Sequence, residues 1–171
     1  MTRIYVGPST LYALGAVGEL DLLDHFDGRL VVPEVVVEAV TTEPARTGLA
    51  EYLDGADVSQ SVPAKAHERA SEMLESDPES YEAALLAGVL AHADPDDRTA
   101  VAVVSEDRRV RRLAEGLGAA VTSSVGVVTR AATEDKYLSR TQAKRIVRRM
   151  DRSGVVMTGE MRERVVGEIE S

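Results

Sequence analysis

Ala100 to Val104 reads AVAVV, an unbroken apolar run that stops at the polar triplet Ser105-Glu106-Asp107. A strand facing water on one side would alternate polar and apolar residues. A strand with none of that alternation is buried on both faces, as in parallel sheets covered by helices front and back. Three other short apolar stretches end at comparable breaks: Arg3 to Gly7 at Gly7-Pro8, Leu30 to Val32 at Pro33, and Ala119 to Val121 just before Thr122-Ser123. Helical spacing follows. Leu11, Leu14 and Val17 form one stripe, and Leu20, Leu22 and Leu23 continue on a second short helix. Pro33 suits the first position of a helix over Glu34 to Val40, and Val110, Leu113, Ala114 and Leu117 stripe a helix closed by Gly118. This alternation predicts an α/β fold with a central parallel sheet and helices on both faces. Sites in such sheets lie at the carboxyl ends of the strands. Those ends are Gly7 to Ser9, the helix after Val32, and Ser105-Glu106-Asp107.

Between these elements, Thr41 to Gly48 reads as a loop or helix entry and Leu49 to Leu53 as a helix ending at Asp54-Gly55. Asp57 to Gln60 suits a short edge strand. Asp77-Pro78-Glu79 has the form of a helix start, and Ala83, Leu86, Ala87 and Leu90 continue it. Three helices complete the chain. Ala143, Ile146, Val147 and Met150 stripe the second, and Met161, Val165 and Ile169 the third. At 171 residues, without internal repeats or a long linker, one domain is expected.

Several chemistries are disfavoured. There is no Cys, and the three His (His25, His67, His92) have no metal-ligand spacing. No phosphate-loop, GxGxxG or GxSxG motif occurs. No apolar run approaches membrane-spanning length, so no membrane association and a cytoplasmic location are expected. The net charge of −9 is unevenly spread: residues 1–107 hold 21 acids and 6 bases, residues 108–152 hold 12 bases and 4 acids. Only three of the 20 bases are Lys, and with the acid excess this resembles the surfaces of proteins from salt-loving microbes. The basic stretch is either a site for phosphate-bearing partners or a solvated helix surface.

The carboxylates carry the remaining chemistry. Asp107 follows the buried strand, Glu38 stands one turn into the helix after the second strand, and Glu82 lies in the first turn of the helix after Asp77-Pro78. Three acids at strand ends of one sheet, without His or Cys, would make a hard oxygen site for Mg²⁺ or Mn²⁺. Such an ion activates water for attack at phosphorus.

Four segments in this order, IYVGPSTLYALGAVGELDLL, VVPEVVVEAV, ESYEAALLAG and VVSEDRRVRRLAEGLGAAV, resemble the PIN-domain fold. The resemblance covers nearly the whole chain and is strongest to an uncharacterised archaeal and bacterial branch with added C-terminal helices, as in SRTQAKRIVRRMDRSGVVMTGEMRERVV. It implies a three-layer α/β/α fold with a parallel sheet of about 4–5 strands. Residues 1–133 would form the PIN-like domain, and residues 134–171 a helical extension packed on it. PIN domains are typically metal-dependent ribonucleases, and many are toxins controlled by a small antitoxin. The resemblance puts the second, third and fourth acids on Glu38, Glu82 and Asp107, as catalytic residues and ligands of Mg²⁺ or Mn²⁺. Glu79 is the alternative for the third. Ser9 and Ser105 match accompanying hydroxyl residues, and Arg108, Arg111 and Arg112 would stand near an RNA backbone. The first acid is missing, because Gly7 occupies its position; Asp21, Asp24 and Glu106 are candidates to compensate. The implied partners are RNA, a small antitoxin-type protein and a second copy docked through the aliphatic C-terminal helices. The resemblance therefore supports three readings: a divalent-metal ribonuclease, a non-catalytic RNA- or protein-binding module, or the toxin component of a toxin–antitoxin pair.

Overall fold

The computed structural model describes residues 2–62, 64–154, 167 and 169. Strand β1 (Thr2–Val6) leads into helix α1 (Pro8–Ala16) and a 3-10 helix (Leu20–His25). Strand β2 (Arg29–Val31), α2 (Glu34–Ala39) and α3 (Ala45–Gly55) follow. After α4 (His67–Leu74) and α5 (Tyr81–Leu90) come β3 (Ala100–Val104), α6 (Arg108–Gly116), β4 (Ala120–Thr122), α7 (Ser124–Thr133) and α8 (Arg140–Arg152). The four strands form one parallel sheet in the order β2-β1-β3-β4, with Tyr5 paired to Val31 on one side and Val103 on the other.

The order of the strands explains the layers. From β1 the chain moves one way to β2, then crosses back past β1 to β3 and on to β4. Right-handed crossovers place α1 on one face and α5 and α6 on the other. After β4 the chain returns to the first face, where α7 packs against α1 and α8 against both. The result is a three-layer α/β/α fold with an added C-terminal helix. Its core is aliphatic, and the few aromatics help to fix it: Tyr5 is fully buried, and Gly88 lets α5 lie directly on its ring.

Local differences from the sequence-based expectation have identifiable causes. Helix α5 begins at Tyr81, not at Asp77-Pro78. Ser80 is its N-cap and accepts from the Ala83 N–H, while the Asp77 carboxylate accepts from the Glu79 N–H in a preceding turn. Either Asp or Ser can cap a helix, so sequence alone places the start one turn early. Asp57–Gln60 forms a single parallel bridge, Val31 to Ser59, in place of a strand. Helix α3 starts at Ala45, earlier than the apolar pattern suggests, and α4 is an additional helix. Helix α8 carries the expected apolar stripe and opens with a capping box between Ser139 and Gln142. Met161 and Val165 lie outside the described residues, whereas Ile169 is buried. No helix among the described residues is long and apolar enough to cross a membrane.

Candidate functional site

The carboxyl ends of β1 and β3 meet at Gly7, whose N–H donates to the Val104 carbonyl at 2.9 Å. Backbone torsions of φ −86° and ψ 164° put Gly7 in ordinary extended conformation, so its lack of a side chain is not a backbone requirement. A Cβ at this position would lie 3.5 Å from Ser105 Oγ and 3.2 Å from Leu85 Cδ1. Ser105 is buried, and its hydroxyl accepts from the Asp107 N–H at 3.1 Å, shaping the turn out of β3. Ser9 lies exposed in the first turn of α1.

One turn before Leu85, α5 presents Tyr81 and Glu82 at the same edge. Burial, the hydrogen bond to Glu82 and the charges of Glu82 and Asp107 push the Tyr81 phenol up to about 12. Tyr81 thus lies within the electrostatic reach of both Glu82 and Asp107. The only sequence signal for Tyr81 is its place next to Glu82 at the opening of α5. Glu38 is exposed on α2, which packs against α5, and Glu79 is exposed in the turn before it.

Both acids after β3 hold helix starts. Asp107 is the N-cap of α6, with Oδ1 accepting from the N–H groups of Arg109 at 2.9 Å and Val110 at 3.0 Å. Glu106 Oε1 accepts from the Ser124 N–H of α7 at 2.6 Å and from the Thr10 hydroxyl of α1 at 3.2 Å. Asp21 and Asp24 stand elsewhere. They line a cavity of about 540 Å³ with Arg29, Tyr52 and Asp57, at the amino end of β2, and Tyr52 donates to Asp24 at 2.6 Å. Neither can substitute for an acid at Gly7.

A divalent ion in an oxygen site needs several converging carboxylates. Among the described residues no three Asp, Glu or His side chains form such a group. Gly7 brings no donor, and one oxygen each of Asp107 and Glu106 is engaged by backbone N–H groups. The donor set at this edge does not fit the ion that the family resemblance implies.

Beside it is a basic groove. Arg108, Arg111 and Arg112 of α6, with Glu115, face Val121, Thr122 and Ser123 at the end of edge strand β4 across a cavity of about 340 Å³. Arg109 points to Glu75 at 3.6 Å, whereas the other three have no ion pair among the described residues. On the far side of α6, Val110 and Ala114 are buried, which fixes the arginine face outward.

A parallel α/β/α sheet with acids and a basic groove at its carboxyl edge defines a nuclease-like scaffold. The chain belongs to the PIN-domain family, whose model matches residues 6–171. No curated protein and no solved structure matches it.

Proposed function

We propose that this PIN domain is an RNA-binding module with a degenerate metal site. The arginine groove between α6 and the end of β4 is the observation that carries this reading. Arginine forks suit phosphate oxygens, and contacts to phosphate give affinity without reading sequence. Gly7 in place of the first acid, with Asp107 and Glu106 tied to helix starts, supports binding in place of metal-assisted hydrolysis.

The test combines RNA binding by fluorescence anisotropy, Mn²⁺ binding by calorimetry and RNA cleavage. Wild type should bind RNA in a salt-dependent manner without cleaving it, and Arg111→Ala/Arg112→Ala should weaken that binding. Gly7→Asp should gain Mn²⁺ affinity, since the new Cβ needs only a small shift of the Leu85 side chain. Cleavage by wild type with Mn²⁺ that disappears in Asp107→Ala would overturn the degenerate-site reading. Absence of RNA binding would overturn the function itself.

A further inference from the structure

Helix α8 carries a second arginine surface on the opposite face of the molecule. Its buried stripe, Ala143, Ile146, Val147 and Met150, packs toward α1 and α7. Arg145, Arg148 and Arg152 are exposed, and none has an ion pair among the described residues. They stand at i, i+3 and i+7, so they share one side of the helix over about 10 Å at a rise of 1.5 Å per residue.

The helix is held firmly in place. Arg149 donates to the Val17 carbonyl at 2.6 Å and reaches Glu19 at 3.8 Å, and the Tyr12 hydroxyl donates to the Ser153 carbonyl at 3.2 Å. The row of guanidinium groups is therefore displayed on a rigid support. Within the row, Arg148 and Arg152 are a like-charge pair at i, i+4, which disfavours their proximity. In a chain of net charge −9, four acids elsewhere are paired with Arg29, Arg109 and Arg130, whereas Arg145, Arg148 and Arg152 have no ion pair among the described residues. A line of phosphates would neutralise them.

We infer that the Arg145–Arg148–Arg152 face of α8 is a second phosphate-backbone site, so that one molecule holds RNA on both faces. It rests on the RNA-binding reading above and narrows it: the RNA must be long or folded enough to reach the α6 groove and α8 across the sheet. Ligands confined to the groove would leave the α8 site empty.

The experiment compares wild type, Arg145→Ala/Arg148→Ala/Arg152→Ala and Arg111→Ala/Arg112→Ala. Alanine is the best helix former, and circular dichroism melting verifies that the variants fold. Affinities are measured from 50 mM to 1 M KCl for single-stranded RNAs of about 6 and about 40 nucleotides, the shorter within what one groove covers. Three lost phosphate contacts should reduce the log–log salt slope for the long RNA by about 2, which is roughly 100-fold in affinity at 0.1 M relative to 1 M. The α8 variant should bind the short RNA as wild type does, while the α6 variant loses it. An unchanged slope in the α8 variant, with binding lost in the α6 variant, would overturn this proposal and leave the RNA-binding reading standing. A change only in sedimentation behaviour would assign the α8 face to a second copy of the chain and overturn the proposal. Wild type that binds neither RNA would overturn both.

Discussion

Glu106 joins three elements through a single oxygen, and removing it should be costly. Its Oε1 accepts the Ser124 N–H at 2.6 Å, at the first turn of α7, and the Thr10 hydroxyl at 3.2 Å. Ser124 is fully buried, so without Glu106 its N–H would lose its protein partner. A hydrogen bond to a charged group contributes about 1.5–3 kcal/mol. The positive end of a helix adds up to about 2 kcal/mol for a partly buried anion. The two overlap, so Glu106→Ala should cost about 2–4 kcal/mol. Glu106→Gln keeps an acceptor and loses only the charge, for a loss of about 1 kcal/mol by the same reasoning. Urea unfolding at pH 7 measures both as shifts in midpoint at constant slope. A Glu106→Ala variant within about 0.5 kcal/mol of wild type, the range of an ordinary surface substitution, would refute the argument. So would a Gln variant less stable than the Ala variant.

Three further outcomes are expected. Gly88→Ala places a Cβ 2.7 Å from Tyr5 Cδ1, so the buried ring must move; overpacking of about 1–3 kcal/mol should lower the melting temperature by several degrees, and an unchanged melting curve would disprove the tight α5–β1 contact. Asp97 is held at about 2, below its ordinary 3.8, by the Thr99 backbone N–H and by His92 at 2.8 Å. A depressed folded value means that its contribution is present above pH 4 and is lost as pH falls toward 2, so Asp97→Asn should flatten the acid limb of stability in that window. For Tyr81 the sign is opposite: a phenol raised from 10 to about 12 stabilises the fold fully below pH 10, and that contribution is lost as pH rises to 12. The difference in ultraviolet titration between wild type and Tyr81→Phe should show a step near pH 12 that moves down in Asp107→Asn. A step at pH 10 would separate Tyr81 from the two carboxylates.

The strands were legible in the sequence because each is a short apolar run ended by Gly, Pro or a polar cluster. Parallel pairing followed from the absence of alternation in AVAVV. Helix boundaries were less legible where two cap residues compete, as Asp77 and Ser80 do, because only the packed structure selects one. The arginine groove was readable from the run after Asp107, since the stripe of Val110 and Ala114 leaves the charges on the other side. The double duty of Glu106 was not. Its partners lie 18 and 96 residues away, and nothing local in the sequence encodes such contacts. The α8 arginines were legible only as part of the basic stretch 108–152; that they stand on the opposite face from the α6 arginines depends on the packing of α8 against α1 and α7. The separation of Asp21 and Asp24 from the strand ends likewise depends on the direction of the 3-10 helix, which periodicity does not give.

The strand order β2-β1-β3-β4 also sets a schedule for the chain as it is made. Strand β1 can pair with β2 early, but its other edge waits for β3, whose residues follow nearly a hundred positions later. At about 5–20 residues per second, synthesis leaves that edge open for roughly 5–20 s. Helices α7 and α8, which return to cover α1, arrive later still. Folding of the sheet is thus tied to the emergence of its third strand, and the nascent chain has to survive that interval with one hydrogen-bonding edge of β1 unpaired.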